Sequence, residues 1–198
     1  MPRACKQGNT NEKLRDLITE PIVKEGFVYV LRAPQYSAKH FPDEIPLVKI
    51  GKAMKPGTRI TQIRKTCGID DLERVLDTQN SRCRYYYKIE KLVHAELSSY
   101  QRTLKCDCKN NAHHREWFAV PESVALQAVQ RWRRFMKQDP YDDRGILRDV
   151  WSEMTDWENF QQESGDEHES RHRYWTAWLD EGISRVAATK AVAFNGGT

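Results

Sequence analysis

The sequence contains no long hydrophobic run. A membrane-spanning helix needs roughly 18 to 20 consecutive apolar residues, and no stretch of this chain approaches that length. The opening residues, MPRACKQGNTNEKLRD, also lack the apolar segment of a secretory signal peptide. We therefore expect an intracellular protein, nuclear or cytoplasmic, without a membrane partner. Internal repeats are absent as well, and the one low-complexity patch, QQESGDEHESRH at residues 161–172, indicates a polar linker.

Cysteine is sparse, with five residues among 198, an odd number. In an intracellular chain this number favours free thiols or metal ligands over a framework of disulfides. Aromatic residues are plentiful by contrast, because six Trp, eight Tyr and six Phe contribute to a hydrophobic fraction of 39%. That composition excludes global disorder despite a mean hydropathy of -0.79. The length suits one domain of ordinary size with an appendage.

Charge is unevenly distributed along the chain, although the net charge is only +4. The first 137 residues contain 26 Lys and Arg against 15 Asp and Glu, a net charge of +11. Residues 138–182 contain 4 against 13, a net charge of −9. A basic main part of the chain suits a polyanionic partner such as DNA or RNA. A soluble protein with an acidic C-terminal segment and no such partner would show the same distribution of charge.

The change of sign coincides with a domain boundary. The cluster QDPYDDRG, which begins at Gln138, contains the Pro, Asp and Gly residues that end a helix and form a turn. We therefore expect three parts: an N-terminal extension at residues 1–25, a main domain at residues 26–138, and an acidic, aromatic-rich helical extension at residues 139–198.

The main domain alternates strand and helix patterns. GFVYVLRAP at residues 26–34 and IPLVKIGKA at residues 45–53 predict two buried antiparallel strands joined by a loose hairpin connection. Residues 72–79 predict a third strand. Helices are predicted from Pro56, over residues 86–100 and from Pro121. The expected fold is α+β and resembles an α/β sandwich, with a small three-stranded antiparallel sheet flanked by helices.

The C-terminal extension carries two apolar helical stripes. The first comprises Ile146, Leu147, Val150, Trp151, Met154 and Trp157, and the second Tyr174, Trp175, Trp178 and Leu179. Aromatic stripes of this kind are more often core than binding surface, so we expect these helices to pack back on the main domain, with an interruption at Gly182. Alternatively, the acidic segment mimics nucleic acid and covers the basic face.

Several short motifs occur in an informative order. FVYV contains Tyr29, VKIGKA follows about twenty residues later, and Arg59 comes seven residues after Lys52. The helix IEKLVHAEL contains Glu90, and HREWF follows at residues 114–118. Over roughly residues 26–137 this pattern resembles the GIY-YIG nuclease superfamily, specifically the phage-type branch whose second motif reads Lys-Ile-Gly. The resemblance implies a DNA endonuclease in which Lys52, Arg59 and Glu90 occupy the positions of the superfamily's lysine, arginine and metal-binding glutamate.

Phosphodiester hydrolysis requires cations near the phosphate and a group that accepts a proton from water. As a hypothesis, Glu90 holds one Mg²⁺ or Mn²⁺ ion, which keeps most of its water ligands. Arg59 would clamp a phosphate oxygen with its planar donors, and Lys52 would add a point charge. An arginine in the first turn of a helix opposes the helix dipole, which favours a functional role for Arg59 over a structural one.

The proton acceptor is left open by the sequence. Tyr29 is one candidate, and His94, one helical turn after Glu90, is another. Lys49 stands where many relatives have a second tyrosine, so a deprotonated Lys49 is a third candidate. The same departure allows a chain that binds nucleic acid without cutting it.

A second constellation suits zinc. Cys106, Cys108, His113 and His114 lie within nine positions, and thiolate with imidazole is a typical zinc ligand set. We expect Cys67 as the fourth ligand, with Cys83 as the alternative, and the resemblance favours His114 over His113. Four protein ligands would make the site structural. A zinc-stabilised interaction domain is therefore a third function to consider, beside the endonuclease and the inactive nucleic-acid-binding module.

Overall fold

The structure, a computed structural model, describes residues 10–19, 25–76, 81–105, 113–155 and 168–195. In chain order its elements are α1 (Thr10–Thr19), β1 (Phe27–Arg32), α2 (Pro34–His40), β2 (Val48–Ala53), α3 (Pro56–Cys67), β3 (Glu73–Arg74), α4 (Tyr86–Glu96), a 3₁₀ turn (Ser98–Tyr100), β4 (Gln101–Lys105), β5 (His113–Phe118), α5 (Glu122–Lys137), α6 (Asp149–Thr155) and α7 (His168–Asn195).

The strands form one antiparallel sheet in the order β3-β1-β2-β5-β4. The α+β fold is thus confirmed, but the sheet has five strands and not three. Two strands, β4 and β5, were missed because their sequences, QRTLK and HHREWF, are rich in charged residues and surround a cysteine-rich connection that resembles a loop. Of the third strand predicted at residues 72–79, the structure shows only the two residues of β3, and residues 77–80 lie outside the described residues.

Two hydrophobic cores lie on opposite faces of the sheet. Val28, Val30, Val48 and Ile50 face a large core built with α1, α4, α5, α6 and α7. Tyr29 and its neighbours on the other face meet a smaller core that includes Ile63 from α3. Strict alternation along β1 and β2 therefore sends successive side chains to different sides of the sheet. Both strands are buried on both faces, as their near-continuous apolar sequences predict.

The connection between β1 and β2 contains a helix where the sequence suggested a loose hairpin. Pro34 occupies the first turn of α2, where its missing N–H is not needed. The carboxylate of Asp71 accepts the backbone N–H groups of Gln35 at 2.6 Å and Tyr36 at 3.3 Å. Because this capping residue is supplied from a distant part of the chain, the local sequence did not reveal the helix.

The predicted helices α3, α4 and α5 are present. Pro56 lies in the first turn of α3, and Gly68 ends the helix in the left-handed conformation with φ of 63°. Ile63 provides the buried centre of its apolar stripe, while Ile60 and Cys67 are partly buried. On α4 the residues Ile89 and Val93 are fully buried.

The described parts of the C-terminal extension pack on α5. Trp151 of α6 and Trp178 of α7 contact the ring of Phe135 at centroid distances of 5.0 and 5.5 Å. The predicted interruption at Gly182 is wrong, because α7 continues through it. A side chain at this position would overlap the Trp151 ring, with an ideal Cβ only 2.0 Å from the nearest ring atom. Glycine therefore serves close packing here and does not end the helix.

Two further expectations for this extension need correction. Ile146 lies before α6 and is 55% exposed, so it does not belong to the apolar stripe. The expected linker at residues 161–172 is helical from His168 onward, while residues 156–167, with Trp157, lie outside the described residues. Within the described ranges, none of the helices combines the length and apolar character needed to cross a membrane.

Candidate active site

The phenol of Tyr29 lies on the smaller-core face of β1, directly opposite Gly51 of β2. An ideal Cβ on Gly51 would come within 2.8 Å of the Tyr29 ring and 2.9 Å of its hydroxyl oxygen. The glycine of the Lys-Ile-Gly motif therefore makes the space in which the ring lies. Burial raises the pKa of Tyr29 to about 12, against the opposing influence of the Arg59 guanidinium. The phenol thus keeps its proton at neutral pH.

Arg59 projects from the first turn of α3 toward this phenol. Its guanidinium acts to lower the pKa of the Tyr29 phenol, so the two groups lie near each other. A groove of about 140 Å³ begins here and is lined by residues of α3, of the segment after α3, and of β2 and β5, namely Lys49, Arg59, Gln62, Ile63, Thr66, Cys67, Ile69, His114, Glu116 and Trp117. Its polar lining combines cationic donors with one carboxylate, which suits a phosphate that is held by cations.

Lys49 is buried in this groove and forms an ion pair with Glu116 of β5. Its ammonium also lies 5.8 Å from the ring centroid of Trp117. Burial alone would raise the pKa of Glu116, but the charge and hydrogen bond of Lys49 hold that pKa below its ordinary value. The HREWF motif contains Glu116, but the sequence analysis assigned no role to this residue. Its position two residues after His114 in that motif was the available signal.

Glu90 and Lys52 form a second ion pair on the opposite face of the sheet. Lys52 pairs with Val28 in the β1–β2 ladder, so its side chain points toward α4, where Glu90 is buried. The ammonium of Lys52 also lies 4.6 Å from the ring centroid of Tyr87. The Glu90 carboxylate therefore already has a positively charged partner, Lys52, in the protein without a metal ion.

His94 lies one helical turn after Glu90 on α4. Its Nε2 is 3.0 Å from the carbonyl oxygen of Ile50. Because a carbonyl oxygen only accepts, Nε2 carries a proton, and the neutral ring has its lone pair on Nδ1. Burial lowers the pKa of His94, although Glu90 and the hydrogen bond to Ile50 oppose that shift. The ring is consequently a neutral proton acceptor at pH 7.

The predicted site residues therefore form two groups on either side of β2. Tyr29, Lys49 and Arg59 share the α3 side, and Lys52, Glu90 and His94 share the α4 side. The ladder between β2 and β5 covers only the pairs Val48↔Phe118 and Lys49↔Trp117. The carbonyl oxygen of the next residue of β2, Ile50, accepts a hydrogen bond from His94 of α4.

Electrostatic interactions connect the two groups at this point. The negative charges of Glu116 and Glu90 both act to raise the pKa of Tyr29. The charge of Glu116 also acts to raise the pKa of His94. The two groups thus lie close enough for their charges to interact across β2, where the β2–β5 ladder ends.

A divalent cation at Glu90 would have one protein carboxylate as its ligand. The described residues contain no group of three or more His, Cys, Asp and Glu side chains placed to hold a metal. A carboxylate is nevertheless a hard oxygen donor of the kind that suits Mg²⁺, which commonly keeps several waters and binds one or two carboxylates. Lys52 contacts Oε2 of Glu90, so a metal would share or replace that contact.

Two of the expected zinc ligands meet at the far end of the groove. The sulfur of Cys67, at the C-terminal end of α3, is 3.4 Å from Nε2 of His114 on β5. Burial and the nearby Lys49 charge lower the pKa of His114. Cys106 and Cys108 lie outside the described residues. Cys83, the alternative ligand, packs against the core on the other face of the sheet.

Comparison with known proteins identifies the family of this chain. Neither the curated proteins nor the solved structures contain a match to this chain. Residues 26–133, more than half of the chain, match the T5orf172 domain. This phage-associated domain is related to the GIY-YIG and HNH-like nuclease folds. The matched region begins just before β1 and ends within α5, so it contains every element that positions the two groups. The chain therefore belongs to the T5orf172 domain family.

Proposed function

We propose that this chain is a metal-dependent endonuclease that hydrolyses phosphodiester bonds in DNA. The observation that carries the proposal is that the charges of Arg59 and Glu90 both act on the Tyr29 phenol, so the three groups lie near one another. A phenol, a guanidinium and a carboxylate from three separate elements thus interact electrostatically, although Arg59 lines the groove and Glu90 lies on the opposite face of the sheet. The net charge of +11 over the first 137 residues favours DNA as the substrate, and RNA fits the same chemistry.

The phosphate-binding role belongs to Arg59. Its planar donors suit a non-bridging phosphate oxygen, and the developing negative charge of the transition state strengthens that contact. Tyr29, which keeps its proton, donates a hydrogen bond to a phosphate oxygen or to the attacking water. Lys52 supplies a second cation from the opposite side of β2.

The proton-accepting role fits His94 better than Tyr29. A phenol whose pKa is about 12 holds its proton at neutral pH, whereas the neutral His94 ring offers Nδ1. In the proposed step the water loses a proton to His94, its oxygen bonds to phosphorus, and the bond to the leaving oxygen breaks. The leaving oxygen then takes a proton from solvent water. Glu90 would hold a Mg²⁺ or Mn²⁺ ion, which supplies Lewis-acid stabilisation of the phosphate when bound.

Plasmid cleavage in the presence of Mg²⁺ or Mn²⁺ tests the proposal. We expect Arg59→Ala and Glu90→Gln each to lower the cleavage rate by about 10²- to 10³-fold, the usual effect of removing one stabilising group. Lys65→Ala is the matched control, because it removes one exposed positive charge from the same helix. Thermal unfolding of each variant shows whether the fold is retained. Cleavage that survives both substitutions at the wild-type rate would refute the assignment.

One observation favours a second candidate, a nucleic-acid-binding module without nuclease activity. Lys52 already neutralises Glu90, and Lys49 occupies the position of a second tyrosine and is neutralised by Glu116. If this candidate is correct, gel-shift titrations will show binding that weakens steeply with salt. Neither Mg²⁺ nor Mn²⁺ will then produce cleavage, and Arg59→Ala will weaken binding while Lys65→Ala has the smaller effect expected of a surface charge.

A further inference from the structure

A second cavity, of about 400 Å³, lies between α2 and the C-terminal end of α3. We call it the α2 pocket, and its lining includes Tyr36, Lys39, His40, Cys67, Asp70 and Asp71. Its volume falls in the range of sites for small ligands, about 300–1,000 Å³, and suits one nucleotide better than a length of duplex. The motifs of the candidate active site contain none of its α2 residues.

The α2 pocket adjoins the groove that contains Arg59. Cys67 lines both cavities. Trp117 lines the groove, and its ring stacks on that of Tyr36 with centroids 5.9 Å apart and an interplanar angle of 30°. Cys67 follows Arg59 by eight residues of α3, about 12 Å along the helix axis. Stacked nucleotides in a DNA strand rise about 3.4 Å each, so a strand whose phosphate contacts Arg59 reaches the pocket within about four nucleotides.

The charge of the lining changes sign between the groove and the α2 pocket. Residues 45–69 contain six Lys and Arg and no Asp or Glu, and the next two residues are Asp70 and Asp71. Asp71 already accepts the backbone N–H groups at the start of α2. Asp70 is exposed, and among the described residues its carboxylate has no hydrogen-bond or ion-pair partner. Carboxylates repel phosphate but accept hydrogen bonds from the amino groups of bases, so the pocket suits a base and not the backbone.

The remaining lining of the pocket complements this carboxylate. The rings of Tyr36 and His40 lie next to each other, with centroids 4.4 Å apart. Proteins that bind single-stranded nucleic acid stack bases on aromatic rings of this kind. Lys39 is exposed on the same helix and is a cation for a phosphate at the mouth of the pocket. The pocket therefore offers a surface for the base, an acceptor for its amino group and a cation for its phosphate.

We propose that the α2 pocket binds one unpaired base of the DNA strand that Arg59 holds. This inference rests on the proposed function, since it takes DNA as the substrate. A base whose edge contacts Asp70 does not pair with its complement, so it is unpaired beforehand or is extruded from the duplex. Adenine, cytosine and guanine carry amino groups that a carboxylate accepts, whereas thymine presents an oxygen at the corresponding position. The preferred substrate is therefore DNA with an unpaired base other than thymine.

Equilibrium binding of the full-length chain to three DNA duplexes tests this inference. One duplex is fully paired, the second carries one unpaired cytosine, and the third carries one unpaired thymine at the same place. All titrations contain EDTA, which prevents cleavage, and share one salt concentration. We expect the cytosine duplex to bind about 5- to 100-fold more tightly than the thymine duplex, the usual discrimination by a good polar contact to a base. The fully paired duplex should also bind more weakly than the cytosine duplex.

Three variants assign the preference to the pocket. Asp70→Asn should remove most of the preference for cytosine, because an amide also donates a hydrogen bond to the thymine oxygen. Asp43→Asn is the matched control, since it removes an exposed carboxylate that does not line the pocket, and it should keep the preference. His40→Ala should weaken binding of the cytosine duplex by about 5- to 100-fold, with a smaller effect on the paired duplex. All three side chains are exposed, and thermal unfolding shows whether each variant keeps the fold.

The outcomes separate this inference from the proposed nuclease activity. Equal binding of the cytosine and thymine duplexes, or a preference that survives Asp70→Asn, would overturn the pocket even if the chain cuts plasmid DNA. The expected preference in a chain that cuts no DNA with Mg²⁺ or Mn²⁺ would support the pocket and refute the nuclease. A chain that binds none of the three duplexes would refute both.

Discussion

Replacing Gly51 with alanine tests how tightly the Tyr29 phenol is held. The added methyl carbon would lie 2.8–3.0 Å from the ring and hydroxyl of Tyr29, closer than real Cβ contacts. Overpacking of this kind costs about 1–3 kcal/mol. Gly51 lies within a regular strand, so alanine recovers about 0.4–1 kcal/mol by reducing the freedom of the unfolded chain. We therefore expect a net loss of about 0.5–2 kcal/mol, which for a chain of this size lowers Tm by about 1–8 °C.

The control variants make this prediction specific to the ring. Gly57→Ala places its methyl group on α3 with nothing within 4 Å, so it should be neutral or mildly stabilising. In a Tyr29→Val background the obstructing ring is gone, and Gly51→Ala should change sign and stabilise the protein by about 0.4–1 kcal/mol. Urea unfolding of all four members of the cycle measures the coupling. Equal effects of Gly51→Ala in both backgrounds would refute the claim that glycine is needed for the phenol.

Three more predictions concern buried charges. Glu116→Gln should lower the free energy of unfolding by about 3 kcal/mol and Lys49→Met by about 1 kcal/mol, as measured by urea unfolding. The side chain of Lys49 is 4% exposed and that of Glu116 is 42% exposed, so Glu116→Gln leaves a buried unpaired charge, whereas Lys49→Met leaves a charge that water can solvate. Equal losses in the two variants would contradict this reasoning. Glu96→Gln should cost about 3–5 kcal/mol, since this buried carboxylate pairs with Arg131; a loss below about 1 kcal/mol would be evidence against it. Burial and the Arg131 charge lower the pKa of His172, so the unfolded chain binds a proton at this histidine at a higher pH than the folded chain does. Stability should therefore fall as the pH drops below about 6.5, the ordinary pKa of histidine. His172→Gln should reduce this pH dependence of Tm, measured from pH 5 to 7.5.

The elements that the sequence predicted are those whose signals are local. Tyr29 and Gly51 lie in strands with near-continuous apolar runs, and Pro56 and Gly68 mark the ends of α3. By contrast, α2 depends on Asp71, whose carboxylate comes from a distant turn. The strands β4 and β5 are stabilised by pairing with each other and with β2, and such pairing between distant segments leaves no periodic apolar signal in a charged strand.

The order and spacing of the motifs predicted Tyr29, Arg59 and Glu90 as site residues, and their catalytic roles stay predictions. The sequence did not predict how these residues are arranged. The division of the site by β2 follows from strand alternation and from the short β2–β5 ladder, which only the register reveals. The ion pairs of Lys49 and Lys52 were also hidden, since their acidic partners lie on other elements.

The aromatic cluster between α5, α6 and α7 has a consequence for shortened versions of the chain. Trp132 and Phe135 belong to the core beneath the sheet and at the same time pack against Trp175 and Trp178. A chain that stopped at residue 138 would expose both rings to water, at a cost of about 1.5–3 kcal/mol for each large side chain. Removal of the acidic tail would therefore undermine the nuclease-like half itself, and we expect the intact protein to melt in a single cooperative transition.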